Sequence, residues 1–386
     1  MDYAKEALRL HKEWQGKIAT EPKMPIETRD DLSVAYTPGV AAPCLEIQTD
    51  PEKCWEYTGR GNTVAVISDG SAVLGLGNIG PAAGMPVMEG KCVLFKALGD
   101  VNAVPLVLNT QDTDELVNII AALEPSFGGI NLEDIAAPRC FEVEERLQQR
   151  MNIPVFHDDQ HGTAIVVSSA LVNALRLTKK ENPDIVVNGA GSAGVAIATR
   201  ILDLGLGNVI LVDRQGILEP SMELTSGQRR IIERTNKKHK SGTLAEAMKG
   251  ADVLIGVSAP HIVSKDMVAS MNPDSIVFAM ANPVPEIDYE EAKAAGARVV
   301  GTGRSDFPNQ INNVLCFPGI FKGALRARAT EINEPMKQAA VYALASLIPE
   351  EELNEENIIV SALDPRAADA VADAVCQAAI DSGAAR

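Results

Sequence analysis

Three features of the sequence predict an α/β fold in two domains, one of them doubly wound. Short apolar runs alternate with longer helical stretches, a glycine-rich turn at 188–194 joins such a run to a helix, and the pattern after INNVLCFPG is helical almost to Arg386. The runs are NTVAVIS, AVPLVLN, IPVF, DIVVNG, NVILVD, ADVLIGVS, SIVFAMAN and ARVVGTG. Short strands separated by helices suit a parallel sheet covered on both faces. A helix is predicted over about 164–177 (AIVVSSALVNALRL), leading into DIVVNG, and the domain change is placed there. Residues 1–163 then form an N-terminal α/β domain, 164–310 the doubly wound domain, and 311–386 a helical segment packing back across both.

The chain has 386 residues, enough for two cores, and a formal net charge of −17. That charge disfavours nucleic acid or an anionic membrane as a partner. Six cysteines (44, 54, 92, 140, 316 and 376) form no C-x-x-C pair, as expected of a reduced compartment rather than a disulfide framework or a zinc site. The start, MDYAKEALRLHKEW, is charged throughout, unlike a signal peptide, and no run is long and apolar enough to span a bilayer. A soluble cytoplasmic protein is expected.

Two segments match G-x-G-x-x-G. GLGNIG, at 75–80, runs at once into Pro81, and no clear helix opens there. It is read as a loop near a substrate rather than a phosphate loop. In NGAGSAG the glycines Gly189, Gly191 and Gly194 follow a strand and open an apolar helix that also holds Ser192 and Ala193. Asp213 ends the next strand about twenty residues on, where an acid meets the adenosine ribose. This is the fingerprint of a Rossmann-type dinucleotide domain. Asp213 favours NAD, because a carboxylate repels a 2′-phosphate; Arg214 beside it leaves NADP open.

Upstream lie Glu133 and Asp134 in GGINLEDI and Asp159 in FHDDQHGTA, each after a strand-like run. Carboxylates without nearby cysteine suit Mg²⁺ or Mn²⁺. Neighbouring strand residues point to opposite faces, so Glu133 and Asp134 share one ion only if the backbone bends there. His157 and His161 offer a weaker, nitrogen-based alternative, and Asp158 is assigned a supporting role. Hydride transfer needs no metal, so a metal beside a nicotinamide points to a second step, decarboxylation of a small hydroxy acid. Tyr36, before the Pro38-Gly39 turn, is a candidate acid. Lys91 or Lys96, in a strand-like apolar run, is a candidate base whose pKa would fall if half-buried near a cation. Spacing does not choose between the two lysines.

Taken together, SVAYTPGVA, VISDGSAVLGLGNIGP, PVMEGK, GGINLEDI, FHDDQHGTA, VNGAGSAG, AMANPVPE and GTGRSDFPNQINNVLCFPG resemble malic enzymes of the small bacterial and archaeal form, in family order over about residues 20–325. The resemblance implies Tyr36 as acid, Lys91 as base, and Glu133, Asp134 and Asp159 as metal ligands. It also implies that Asn282 and Asn313 hold malate and the nicotinamide end, with Asn312 as a structural neighbour. The implied reaction is metal-dependent oxidative decarboxylation of L-malate to pyruvate and CO₂ by a homodimer using NAD or NADP. Alternatives are a related decarboxylase (of tartrate, or malate to lactate) and an idle dinucleotide-binding regulator. Where longer members carry an arginine that grips a malate carboxylate, this chain has Ala72, and Arg304 is a candidate substitute. No acyltransferase-like extension is seen, so regulation through one is not expected.

Overall fold

The computed structural model describes residues 2–73 and 75–386, which form two sheets. In the first, β1 (Thr63–Ser68), β2 (Asn102–Val107), β3 (Gly129–Leu132) and β4 (Val155–His157) lie in the order β2-β1-β3-β4, all parallel. The second holds β5 (Asp184–Asn188), β6 (Asn208–Asp213), β7 (Gly216–Ile217), β8 (Val253–Gly256), β9 (Ile276–Ala279) and β10 (Val299–Thr302). Its order is β10-β9-β8-β5-β6-β7, parallel except for the β6–β7 hairpin. In both sheets the chain winds one way and then reverses, from β1 to β2 and back to β3, and from β5 to β6 and back to β8. A parallel sheet leaves a crevice at the carboxyl ends of the strands where the winding reverses. Central strands β1 and β5 are buried on both faces, hence their unbroken apolar runs. Edge strand β2 tolerates Pro105, whose missing N–H is no loss at an edge.

One helix, Asp158–Thr178, leaves β4 and carries the chain to the second sheet. The predicted helix over 164–177 is its later part; HDDQHG belongs to its beginning. Asp158 and Asp159 occupy its first turn, where the helix dipole favours negative charge.

Two expectations fail between β1 and β2. A helix does open directly after GLGNIG, at Pro81, and it runs to Gly99 with proline in its first turn. The run around Lys91 is therefore helical, not a strand. Gly84, Met88, Lys91, Cys92, Phe95 and Gly99 are its buried residues, and their recurrence at three and four is the helical period.

Three C-terminal helices close the structure. Phe317–Arg326 sends Phe317 and Phe321 against Phe95, with ring centroids 4.7 and 5.5 Å apart, and Phe321 also meets Phe156 edge-on. Ala367–Asp381 packs tightly on it, because a Cβ at Gly319 or Gly323 would come within 2.6 or 2.9 Å of Val371 or Val375. Glu334–Ser346 lies along the bridging helix, where Ser169 donates to the Val341 carbonyl at 3.0 Å and Asn173 to that of Ala345 at 2.9 Å. One core thus runs from the first sheet through these helices into the second.

The N-terminal helices differ. Tyr3–Trp14, Arg29–Ala35 and Ala41–Thr49 bury none of their residues. Leu8, Trp14, Ile26, Val34 and Leu45 are left in contact with solvent. All six cysteines are free, and among the described residues no helix is long and apolar enough to cross a membrane.

Phe321 ties the C-terminal helices to the first sheet, through Phe95 and Phe156. Phe321→Ala is expected to lower stability by about 3–5 kcal/mol, read as a lower urea midpoint at unchanged m-value.

Candidate active site

The loop after β5 has the shape its glycines allow. Gly189 sits at φ +105°, and a Cβ there would lie 2.6 Å from the Val257 carbonyl oxygen. At Gly194 a Cβ would fall 1.9 Å from the Gly189 oxygen, so only glycine lets the helix Ser192–Asp203 start so close to the strand. Nothing lies within 4 Å of a Cβ built at Gly191, the side open to an incoming phosphate. Asp213, at the end of β6, lines the same cleft of about 800 Å³ with Asn188, Gly189, Ala190, Gly191 and Arg214.

A second cleft, of about 490 Å³, lies between the carboxyl ends of the two sheets. The first sheet contributes Ala72, Gly75, Asp134 and Asp159, and the second Ser192, Ala193, Met280 and Asn282, with Asn312 and Asn313 beside them. Ser258 lines both clefts, so the two meet there. Gly75 packs under Asn282, where a Cβ would come within 2.7 Å of its carbonyl oxygen, so GLGNIG does border this cleft.

Behind Asn313 of the second cleft, and lining neither cleft itself, Lys91 is buried between two carboxylates. Its Nζ donates to Glu133 Oε1 at 3.0 Å and, in a short contact, to Asp158 Oδ2. Asn313 Nδ2 donates to the same Asp158 oxygen. Gly162 makes room for Asp158, since a Cβ there would sit 1.9 Å from Oδ1. Asp134 has φ +55°, so the backbone does bend directly after Glu133, and its N–H donates to Asp159 Oδ2 at 2.8 Å.

Among the protein's own groups, Lys91 keeps its proton strongly. Burial works against its charge, but Asp158, Glu133 and Asp159 outweigh burial and hold the ammonium above the ordinary lysine value. Burial pushes Asp158 up to about 8 despite Lys91, and it raises Glu133 and Asp159 as well. The cluster carries more potential negative charge than one lysine neutralises.

Several candidates lie apart from this centre. Tyr36, at the end of Arg29–Ala35, is 68% exposed and lines neither cleft. Arg304 is paired with Asp306 at 2.6 Å and lines neither cleft, so the charge expected opposite Ala72 is not found there. Lys96 is solvated and paired with Asp100. His161 pairs with Glu144 at 3.1 Å, while His157 Nδ1 lies 3.8 Å from Asp159. Among the described residues no three His, Cys, Asp or Glu side chains are grouped as a ready metal site. Glu133 gives one oxygen to Lys91 and accepts from Asn131 at 2.9 Å with the other, while Asp159 is engaged by the Asp134 amide.

This geometry agrees with what the chain resembles. Residues 15–148 match the model of the malic enzyme N-terminal domain, and residues 160–380 that of the malic enzyme NAD binding domain. The chain belongs to the malic enzyme family. It is 53% identical over 390 residues to the bifunctional malic/malolactic enzyme of Bacillus subtilis, covering 100% of this chain and 95% of that protein. To the NAD-dependent malic enzyme of Geobacillus stearothermophilus it is 54% identical over 374 residues, covering 96% and 78%. The crystal structure of malic enzyme from Pyrococcus horikoshii superposes with a TM-score of 0.95 at 48% identity, covering 100% of this chain and 92% of that one.

Within this malic enzyme fold, two structural roles escape sequence reasoning. Glu286 is fully buried and accepts the N–H groups of Ser258 at 2.8 Å and Ala281 at 3.0 Å, both in the cleft wall. It lies against Gly256, where a Cβ would come 2.6 Å from its Cδ, and Asn188 donates to the Ser258 hydroxyl at 2.8 Å. One carboxylate thus pins the ends of β5, β8 and β9 together. The signal was present, a charged residue closing the apolar AMANPVPE. Glu144 does similar work for β4, accepting the His157 N–H at 3.1 Å; nothing in its amphipathic helix sets it apart.

The raised Asp158 value gives a signed pH dependence for the metal-free protein. An unfolded aspartate titrates near about 3.9, so between there and about 8 the folded cluster of Asp158, Glu133 and Asp159 shares a proton that the unfolded chain has lost, while its remaining charge faces Lys91. The stabilisation from that proton is full below the unfolded value and is lost as pH rises through the folded one. Asp158→Asn removes this dependence. The stability of wild type relative to D158N, from urea titrations in EDTA, should fall steadily from pH 5 to pH 8.

Proposed function

We propose that this chain catalyses the oxidative decarboxylation of L-malate to pyruvate and CO₂ with reduction of NAD, in a reaction that needs Mg²⁺ or Mn²⁺. The observation that carries the reading is the junction of the two clefts: a dinucleotide cleft opens at Ser258 onto one whose walls hold Asp134, Asp159, Asn282 and Asn313, with Lys91 behind Asn313. The donors fit a hard dication, being carboxylate oxygens in electrostatic excess over Lys91, buried at Glu133 and Asp134 and half-buried at Asp159, with Asp134 brought to Asp159 by the backbone bend. Glu133, Asp134 and Asp159 would hold the metal, with Glu133 turning from Lys91. A bound cation would supply Lewis-acid polarisation of the 2-keto oxygen, and bound NAD would supply the hydride acceptor for C2.

The chain's own groups handle protons and orientation. Lys91 takes the C2 hydroxyl proton at Nζ, and Asp158 then holds the ammonium that results. This requires a neutral amine in the working enzyme, and the pull of Glu133 on the ammonium is what must be relieved first. Asn313 keeps Asp158 oriented, and the Asn282 amide faces the cleft from the wall opposite the acids. Tyr36 protonates C3 of the enolate left when the C4 carboxylate departs.

That last role bears on assembly. The helices around Tyr36 bury nothing and expose an apolar surface, which a second copy would cover in a homodimer. In such a dimer Tyr36 serves the partner's cleft. A second reaction, malate to lactate without net NADH, is favoured by the name of the Bacillus subtilis relative, and product analysis separates the two.

Absorbance of NADH with L-malate, Mn²⁺ and NAD or NADP, beside EDTA controls and a pyruvate assay, tests the proposal. Metal-dependent NADH matched by pyruvate is expected; lactate, or reduced cofactor without pyruvate, would overturn it. Lys91→Ala should abolish malate oxidation while leaving NADH binding near wild type by fluorescence titration. Separately purified K91A and Y36F proteins, both inactive, should regain activity when unfolded together and refolded as a mixture. No regain, with mixed dimers present, would return Tyr36 to its own chain.

A further inference from the structure

The dinucleotide cleft has behind it a short helix, Ser226–Ile231, that no sequence motif marks. Its third residue, Gln228, is buried, and every polar group on its side chain is used. Oε1 accepts the Thr225 N–H at 2.9 Å while the Gln228 N–H donates to Thr225 Oγ1 at 3.3 Å, a capping box that starts the helix. Nε2 is left with two hydrogens. One goes to the Ala190 carbonyl at 2.9 Å, inside the glycine loop, and the other reaches Asp213 Oδ2 at 3.4 Å. The partners fix which end of the amide is which, since Thr225 offers a donor and Ala190 an acceptor. The remaining Asp213 oxygen accepts the Arg214 N–H at 2.8 Å, so the carboxylate is tied on both sides.

The geometry points to Gln228 as a positioning residue for the dinucleotide, bracing the glycine loop against the ribose-binding carboxylate. A dinucleotide contacts the loop through its pyrophosphate and Asp213 through its adenosine ribose, so it needs both at one fixed separation. Gln228 is the side chain that spans them, touching Ala190 and Asp213 with one nitrogen. By keeping the Asp213 carboxylate from swinging away, it also keeps negative charge where a 2′-phosphate would lie. The inference rests on the NAD reading proposed above and extends it to a residue outside the fingerprint.

The test uses two variants. Gln228→Glu keeps the capping-box acceptor, and with it the helix start, but loses both donors. Gln228→Met keeps the length and loses all polar contacts. NADH affinity by fluorescence titration should fall about three- to ten-fold in each, the worth of one or two buried hydrogen bonds. The malate KM should not move, and Q228M should narrow the preference for NADH over NADPH. On an Asp213→Ala background each variant should weaken NADH binding by less than it does in wild type, because Gln228 then holds only the Ala190 carbonyl. A residue that merely caps a helix would lower Tm and leave the affinity of the folded protein unchanged. Unchanged NADH affinity in Q228E, or losses that add in full to D213A, would overturn the proposal. Wild type measured alongside separates the two readings: tighter NADPH than NADH would sink the NAD preference alone, and the double-variant comparison would still decide Gln228 with the preferred dinucleotide.

Discussion

Lys91 carries its ammonium from the helix Pro81–Gly99 into a region closed to water, and it keeps that charge because Glu133 and Asp158 receive it. A buried charge without such partners would neutralise or unfold its surroundings. The pairing ties three elements at one point: the helix with Lys91, the end of β3 with Glu133, and the start of the bridging helix with Asp158. Gly162 and Asn313 fit around Asp158, one by leaving space and the other by donating a hydrogen bond. The arrangement favours the closed, charged state of the lysine, so chemistry at Nζ depends on rebalancing its neighbours rather than on exposing it.

Both sheets bring their reversal points to this place. The first offers the turns after β1 and β3, the second those after β5, β8 and β9, and the helix Asp158–Thr178 fixes how the two face each other. A ligand lying along the second sheet from Asp213 past Gly191 to Ser258 arrives at the acids of the first. Glu286 matters here because it sets the spacing of the strand ends over which such a ligand passes. The C-terminal helices add the lateral support, with Phe317 and Phe321 wedged against the lysine helix and Glu334–Ser346 against the bridging helix.

Where sequence and structure part, the reason is physical. CVLF reads as a strand because apolar neighbours are contiguous, yet the wider spacing of Met88, Cys92, Phe95 and Gly99 is helical and the longer period prevails. The sequence predicts that Lys91 loses basicity if half-buried near a cation; the charged groups that meet it here are anions. Burial does lower its basicity, but two contacting carboxylates act more strongly. Arg304 has the right charge in the right motif and spends it on Asp306, two residues away. Tyr36 stands in a well-marked turn on a surface that its own chain leaves open.

What the sequence by itself determined was local: the strands, through apolar runs buried on both faces; the dinucleotide loop, through three glycines each required by a close approach or an open side; and the acids at strand ends. These depend on neighbours in sequence and are legible there. Only the tertiary structure decided which charges meet. The partners of Lys91 lie 42 and 67 residues away, and the buried braces at Gln228 and Glu286 act on backbone groups of other elements. An ionisable side chain takes its charge state and its role from whatever shares its low-dielectric surroundings, and no spacing along a chain records that.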